Sequence, residues 1–279
     1  MNKIHHVKKI CLLTLAIFLL MVLGYALLIE PNRIEIKHIE IKDSAFNYTL
    51  KGKTAVHLSD LHITKIGKKE KEILRILDAL KPDFLFLTGD YVKWKGTYEG
   101  ALGFLSRLDA PMGVWAVMGD YDYSSSRKSC LFCHEPGSGE PTTQHRVRFL
   151  RNAIVPAAFP NRDACLGGID PESSLNDVAG MPASFLKDKT PVIILSHSPL
   201  IFDSIDKDHD VFILAGDTHG GQVPIPARFW QLVGYKKNAH YNHGFFQEGH
   251  KKMYVSRGIG TSHFPFRFLR APELVVLHF

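Results

Sequence analysis

Five apolar segments of the sequence each end in carboxylate or imidazole side chains. The segments AVHL, FLFLT, VWAVM, VIILS and VFILA are rich in β-branched and aromatic residues and therefore predict strands. The acidic and histidine residues that follow them are, in order, Asp60, His62, Asp90, Asp120, Asp122, His197, Asp217 and His219. Ligands of open α/β sheets bind at the carboxyl ends of the strands, so these side chains are candidates for one common site.

The chemistry that suits such a set is metal binding. Several carboxylates at one place repel one another, and cations must neutralise them before they can share a site. A single Asp after a strand is most often a turn residue or a helix cap. That explanation does not account for five strand ends that also deliver three histidines. The pattern therefore predicts a metal site.

Helical patterns alternate with these strands. Residues 69–80 and residues 97–108 each place four apolar side chains on one helical face, namely Ile73, Ile76, Leu77 and Leu80 in the first and Ala101, Phe104, Leu105 and Leu108 in the second. A third helical pattern lies near residues 142–150, and residues 31–53 alternate like a half-buried leading strand. Strand–helix alternation predicts an α/β layered domain over residues 54–279.

The ordered motifs resemble those of the calcineurin-like metallophosphoesterase family. The resemblance lies in Asp60-x-His62, Gly89-Asp90, a Gly-x-x-Asp turn at 119–122, His197, and Gly-x-Thr-His-Gly-Gly-Gln at 216–222. Within the family the chain looks most similar to membrane-associated or exported bacterial members, a branch that includes one type of UDP-2,3-diacylglucosamine pyrophosphatase of lipid A synthesis. The resemblance implies a four-layer αββα sandwich and a hydrolase of phosphoric ester or pyrophosphate bonds.

The resemblance also implies a centre of two divalent cations. Carried over to this chain, Asp60, His62 and His219 bind the first cation, Asp90 bridges both, and His197 binds the second. Two such cations orient a phosphate, stabilise its developing charge and generate a hydroxide nucleophile from water.

Two ligand positions depart from the family pattern. Asp120 stands where the family usually has Asn, and Asp217 stands where it usually has His. Both replacements are competent ligands, so we expect them to bind the second cation and catalysis to be retained; the alternative is a metal-binding protein with impaired catalysis. Four carboxylates favour Mn²⁺, with Mg²⁺ or Fe²⁺ as alternatives, because these cations prefer hard oxygen ligands.

Three further residues are candidates for catalysis. Tyr121 stands where the family's usual acid or phosphate-contacting histidine occurs; with an ordinary pKa near ~10 it can donate a hydrogen bond but is a poor base. Asp122 completes the same turn. A nearly neutral metal centre attracts phosphate weakly, so Arg257 is expected to supply a positive charge, with Arg127 behind it.

An insert at residues 124–141 contains the motif Cys130-x-x-Cys133-His134. Three alternatives remain open: attachment of a haem c, which would make the insert a redox module, a structural Zn²⁺ site, or a disulfide that stiffens a lid over the metals. The insert has only about 20 residues, too few to enclose a haem. Cys11 and Cys165 are expected to be plain apolar residues.

The N-terminal segment carries a different signal. Residues 10–29 are uncharged and largely apolar, and follow three lysines. The segment is long enough to cross a bilayer, although Gly24 and Ala26 also have the spacing of a signal-peptide cleavage site. We therefore interpret residues 1–30 as a single-pass anchor or a signal segment. The lysines place residues 31–279 outside the bacterial inner membrane, with the cytosolic side as the alternative.

Composition narrows the function. The chain has 279 residues, 45% of them hydrophobic, and a formal charge of +6, which suits one full-sized domain. It has no dense basic block, so nucleic acid is excluded as a partner. We expect a phosphorylated small molecule or lipid as substrate, such as a nucleotide-linked sugar lipid. Aromatic-rich residues 227–235 and 263–270 are expected to pack in the core, with a lip at the lipid surface as the alternative.

Overall fold

Two six-stranded sheets lie face to face in the computed structural model. It describes residues 2–42, 45–46, 50–93, 96–123, 132–133, 142–155, 164–170, 190–232, 240–262 and 264–279. The strands are β1 (Glu35–Glu40), β2 (Thr54–Leu58), β3 (Phe84–Thr88), β4 (Val114–Val117), β5 (Arg148–Phe149), β6 (Ala153–Val155), β7 (Cys165–Ile169), β8 (Val192–Ser196), β9 (Val211–Ala215), β10 (Gly244–Glu248), β11 (Lys251–Val255) and β12 (Glu273–His278). The described α-helices are α1 (Asn2–Gly24), α2 (Lys68–Leu80), α3 (Glu99–Leu105) and α4 (Ala227–Leu232).

The strand order brings the predicted ligand-bearing ends together. The first sheet runs β1-β12-β2-β3-β4-β5 and the second runs β10-β11-β9-β8-β7-β6. Strands β2, β3 and β4 are parallel to one another, as are β7, β8, β9 and β11. The residues that follow β2, β3 and β4 therefore leave the first sheet at the same end, the carboxyl ends of these strands. The residues that follow β8 and β9 likewise leave the second sheet at one end.

Three apolar layers hold the sheets and helices in place. Between the sheets, Phe84 and Phe86 of β3 pack in one cluster with Phe212 and Leu214 of β9. On the outer face of the first sheet, side chains of α2 and α3 pack against β2, β3 and β4. On the outer face of the second sheet, the described covering is a 3₁₀ helix, Pro199–Ser204. Because buried strands need apolar side chains on both faces, their near-continuous apolar runs follow from this layering. The predicted α/β sandwich is confirmed.

Two helical predictions agree with the structure and one was wrong. Helix α2 buries Ile73, Ile76 and Leu77, and α3 is shorter than its apolar pattern, which continues to the buried Leu108. Residues 142–150 form no helix: β5 lies there and pairs with β4, and the Leu150 amide donates to the Ala116 carbonyl (2.8 Å). Pairing with the sheet edge overrides the local periodicity.

Helix α1 continues through a π-helical turn (Tyr25–Ile29) and a 3₁₀ turn (Glu30–Asn32). The helical segment Ile4–Asn32 is long and apolar enough to cross a membrane, and its side chains are almost all exposed. These properties also fit a signal sequence. The segment ends against the domain, because Ala26 is buried and its carbonyl accepts a hydrogen bond from the Arg267 amide (3.0 Å).

Candidate metal centre

The backbone turns sharply at five of the predicted ligands. Asp60, His62, Asp90, Asp217 and His219 all have left-handed φ angles, from 47° to 72°. Each such residue costs about 1 kcal/mol or more, and this strain persists where the surrounding structure fixes a functional geometry. Glycines allow the turns to approach closely: at Gly258, itself at φ +65°, a Cβ atom would lie 2.7 Å from the Asp60 Cβ.

Four side chains converge on a first cation position. The Nε2 atoms of His62 and His219 are 3.0 Å apart. His219 Nε2 lies 3.6 Å from Asp60 Oδ1, and His62 Nε2 lies 3.6 Å from Asp90 Oδ2. With bonds of about 2.1 Å, two ligands of one ion are at most ~4.2 Å apart. The donor set therefore fits a divalent cation.

A second position shares Asp90. His197 Nε2 lies 3.6 Å from Asp90 Oδ1 and 4.0 Å from Asp217 Oδ1. Asp90 thus directs one carboxylate oxygen toward each histidine group, which is the geometry that a bridging ligand needs. His197 Nδ1 donates to the Thr88 carbonyl (2.9 Å), and this hydrogen bond leaves the Nε2 lone pair for a cation.

The two positions differ in exposure. Asp60 and His62 of the first position are buried, whereas the Asp217 side chain is 26% exposed and Asp120 is exposed. Asp120 acts on both His197 and Asp217 through its charge. The structure therefore brings six of the predicted ligands within 4.0 Å of another member of the set, whereas Asp120 is placed near them only by its charge. The side of Asp120 and Asp217 is the more exposed.

Charges in the site favour cation binding. Burial raises the pKa of Asp217 to about 7 and lowers the pKa of His62 to about 3. Burial alone would lower the pKa of His197, but Asp90, Asp60 and Asp217, together with the more exposed Asp120, outweigh it and raise this pKa to about 10. The carboxylates thus create a negative potential at His197. The His62 imidazole, in contrast, stays neutral and able to coordinate a cation.

Asp122 holds the turn that carries Asp90. Its Oδ2 atom accepts from the amides of Asp90 (2.7 Å) and Gly119 (2.8 Å). Its Oδ1 atom accepts from the amides of Tyr91 (2.7 Å) and Val92 (3.2 Å). Both oxygens are fully engaged with the backbone, so Asp122 acts as a positioning residue and not as the catalytic group that the sequence suggested.

Tyr121 lies beside the first position. Its backbone amide donates to Asp90 Oδ1 (3.0 Å), and its ring centroid is 5.2 Å from that of His62. The half-buried side chain is therefore near enough to the predicted cations to be a substrate contact. Its role as a hydrogen-bond donor to the substrate stays a prediction.

Arg257 does not have the free positive charge that we expected. Its Nε atom donates to Glu273 Oε2 and its Nη2 atom donates to Glu35 Oε2, both at 2.7 Å. Two carboxylates already neutralise and orient the guanidinium, so the structure contradicts a phosphate-binding role in this arrangement. Arg127, the reserve candidate, lies outside the described residues.

Sequence reasoning missed two other positively charged side chains near the site. Arg267 is fully buried, donates to the carbonyls of Arg257 (2.8 Å) and Gly260 (3.0 Å), and has its Nη2 atom 3.3 Å from His219 Nδ1. Lys69, in the first turn of α2, donates to the Ile259 carbonyl (3.4 Å) and acts on His62 through its charge. Burial lowers the pKa of Lys69 to about 8. The arginines within the aromatic-rich stretch HFPFRFLR were the available signal for Arg267.

The cysteine insert is described only at two residues. Cys133 is disulfide-bonded, whereas Cys130 and His134 lie outside the described residues. A disulfide sulfur is neither a thiolate ligand nor a haem thioether, so Cys133 contradicts the zinc and haem alternatives and supports the disulfide. Phe132 beside it is buried against Tyr91 and Tyr98, in the cluster that packs on the first sheet.

Comparison with known proteins agrees with this fold and donor set. The family model for the calcineurin-like phosphoesterase domain matches residues 53–219, and the chain belongs to this family of metallophosphoesterases. It is a hydrolase of phosphoric esters.

Three relatives resemble the chain over nearly its whole length. The uncharacterised metallophosphoesterase YkuE of Bacillus subtilis is 29% identical over 91% of this chain and 88% of its own. The UDP-2,3-diacylglucosamine pyrophosphatase LpxG of Chlamydia trachomatis is 25% identical over 89% of this chain and 90% of its own. The phosphodiesterase YaeI of Escherichia coli is 27% identical over 91% of each chain.

Proposed function

We propose that this hydrolase uses two divalent cations to cleave a phosphodiester or pyrophosphate bond in a lipid or a nucleotide-linked sugar lipid. The observation that carries the substrate class is that the end of the apolar segment Ile4–Asn32 is hydrogen-bonded to the chain segment that holds His219 through Arg267. A membrane holding that segment lies close to the metal centre. The relative LpxG, a UDP-2,3-diacylglucosamine pyrophosphatase, acts on a substrate of this class.

Seven residues are proposed to hold the cations. Asp60, His62 and His219 would bind the first cation, His197, Asp120 and Asp217 the second, and Asp90 both. When bound, such cations act as Lewis acids and lower the pKa of water. The four carboxylates could balance two divalent charges, and their hard oxygen atoms favour Mn²⁺ over Zn²⁺.

The remaining roles follow from position. The phosphate would enter beside Asp120 and Asp217, where the centre is open. Tyr121 would donate its hydroxyl proton in a hydrogen bond to a phosphoryl or leaving-group oxygen. A phenol of ordinary pKa is adequate for a leaving group that needs little protonation, such as the nucleoside monophosphate released from a pyrophosphate. Lys69 would add positive charge on the side of His62.

The first experiment is hydrolysis of bis(p-nitrophenyl) phosphate by the detergent-solubilised full chain with Mn²⁺. We expect turnover that a chelator removes and that Asp90→Asn abolishes. Asp78→Asn, at an exposed position on α2, is the matched control and should keep full activity. Binding of Mn²⁺ without hydrolysis of this ester or of any lipid would instead identify a catalytically impaired metal-binding protein.

The side of the membrane decides the substrate. We propose that the segment is a single-pass anchor in the bacterial inner membrane and that residues 31–279 face outward. Protease added to intact spheroplasts should then digest this domain, which would favour phospholipids or other envelope phosphoesters. Protection of the domain would place it in the cytosol, where UDP-linked sugar lipids are available, and those become the substrates to assay.

A further inference from the structure

Two chain segments beside the metal centre are joined by Gln222. The side-chain NH₂ group of Gln222 donates to the backbone carbonyls of Phe264 and Phe266, both at 3.0 Å. The backbone carbonyl of Gln222 accepts a hydrogen bond from the Phe268 amide (2.9 Å). Gln222 follows His219 by three residues, and Gly220 accepts a hydrogen bond from Arg270 Nε (3.1 Å). The segments 220–232 and 264–270 therefore form one continuous surface next to His219.

This surface exposes large apolar side chains. The five most exposed, which we call the apolar rim, are Ile225 (42%), Phe229 (48%), Leu232 (80%), Phe264 (65%) and Leu269 (59%). Single exposed apolar residues are ordinary, but several on two joined segments mark an interaction surface. The Arg228 guanidinium lies 5.3 Å above the Phe229 ring, and a cation beside aromatic and aliphatic side chains suits an anionic lipid surface.

The apolar rim continues directly from the end of the apolar segment. Glu30 is fully buried, and its two oxygens accept from the amides of Leu269 (2.8 Å) and Arg270 (2.6 Å). The residues just before it, Leu28 and Ile29, are 74% and 55% exposed. One continuous hydrophobic belt thus runs from the segment onto the domain.

The length of the apolar segment sets the level of the bilayer. Residues 10–29 are uncharged, and 20 helical residues at 1.5 Å each span about 30 Å, the thickness of the hydrocarbon core. A bilayer that holds these residues therefore ends at Glu30. Because Glu30 binds Leu269, the apolar rim lies at the boundary between acyl chains and headgroups.

We infer that the apolar rim dips into the bilayer that α1 crosses and that it receives the acyl chains of a lipid whose phosphate reaches the metal centre. The contact with the membrane stands on the geometry of Glu30 and the rim and rests on the proposed role of α1 as an anchor. The assignment of the lipid as substrate rests on the proposed function. The structure thus assigns a lipid bilayer, and not a second protein, as the partner of this surface.

Fluorescence quenching tests the contact. Single cysteines replace Phe264 or Leu232 in a full chain carrying Cys11→Ser and Cys165→Ser, are labelled with bimane, and are reconstituted into vesicles of phosphatidylethanolamine and phosphatidylglycerol with a doxyl-labelled lipid. We expect quenching several-fold stronger at these two positions than at a control label in Asp208→Cys. Asp208 is exposed and precedes β9, at the end of the sheet opposite to Asp217.

The outcomes separate this inference from the proposed function. Equal, weak quenching at all three positions would overturn the membrane contact, as would labels that are shielded from water yet not quenched by lipid, because these indicate a protein partner. The readout needs no turnover, so it stands even if the chain hydrolyses nothing. Mn²⁺-dependent hydrolysis by the Asp208→Cys protein and the melting temperatures of all three variants report that the fold is intact.

Discussion

A single carboxylate, that of Asp122, organises the turn that presents Asp90 to both cation positions. Three of its four hydrogen bonds to backbone amides reach residues 30 to 32 positions away in the sequence, and together they hold the turn whose Asp90 oxygen atoms face His62 and His197. At the residue scale the centre therefore depends on groups that never contact a cation. The Tyr121 amide, which donates to the same Asp90 carboxylate, is a similar case, because it supports this ligand without contacting a cation.

Replacing Asp122 by Asn should weaken the metal centre. An Asn side chain turns one acceptor into a donor that faces two backbone amides, and leaving buried donors unsatisfied costs about 1–3 kcal/mol. We expect a lower melting temperature and at least tenfold weaker Mn²⁺ binding, measured by thermal unfolding and titration. Asp109→Asn is the control, since the Asp109 carboxylate is exposed. Its ion pair with Arg146 (3.6 Å), which is also exposed, contributes little to stability. Unchanged Mn²⁺ affinity in Asp122→Asn would contradict the positioning role.

Replacing Tyr121 by Phe should affect turnover but not metal binding. The hydroxyl is removed while the amide that binds Asp90 remains. We expect kcat to fall by about 10- to 100-fold with a poor leaving group and much less with p-nitrophenolate, because an activated ester needs little proton donation. Steady-state kinetics with both esters, alongside Mn²⁺ titration, measure the difference. Unchanged turnover with the poor leaving group would remove Tyr121 from the mechanism.

At the scale of elements, the contact between the apolar segment and the domain depends on Glu30. The carboxylate binds two amides of the 264–270 segment, and Arg270 of that segment reaches the Gly220 carbonyl beside His219. A buried acid that satisfies two backbone donors holds the end of the helix in one place. The apolar segment is therefore a structural neighbour of the metal centre.

The variant Glu30→Gln tests this contact. A glutamine can accept from one amide, but its NH₂ group then faces the other. We expect a loss of stability of about 1–3 kcal/mol, seen as a lower melting temperature in detergent. The change Glu40→Gln, on the exposed side of β1, should have no effect. Equal melting temperatures of the two variants would show that Glu30 does not hold the segment.

The grouping of the candidate ligands could be predicted from sequence because each of them follows its strand within a few residues. Asp60, Asp90 and Asp217 stand within two residues of the ends of β2, β3 and β9. The charge of Arg257 could not be judged in this way, because its partner Glu35 is 222 residues away. Glu30 was missed for the same reason: its donors are 239 and 240 residues distant. The edge strand β5 was mistaken for a helix because its two residues carry no period, and only pairing with β4 defines it.

At the scale of the whole molecule, the charge of the centre couples metal binding to stability. In metal-free protein the pKa of His197 is raised to about 10 and that of Asp217 to about 7, so the folded state holds protons that the unfolded chain releases at lower pH. A group whose pKa is raised on folding stabilises the protein at low pH, and this contribution is lost as the pH rises toward the folded-state pKa.

Chelated protein should therefore lose stability between pH 7 and pH 8. The slope is at most about 1.4 kcal/mol per pH unit for one proton. Above pH 8, Lys69 opposes the trend, because its lowered pKa of about 8 makes the folded state release a proton earlier. Denaturant unfolding at several pH values, with chelator or with Mn²⁺, measures the effect. Mn²⁺ should flatten the curve, and a metal-free curve that rises over this interval would contradict the electrostatic account.

The division of the ligands between the two sheets has a mechanical consequence. Asp60 and Asp90 follow strands of the first sheet, whereas His197, Asp217 and His219 follow strands of the second. A bound ion would cross-link the two sheets, since they cannot separate at this end without breaking coordination bonds. Amide hydrogen exchange in β3 and β8, deep in the interior, should then slow when Mn²⁺ is added. Chelation would remove this cross-link and make local separation of the two sheets easier, beginning at the end that carries the ligands.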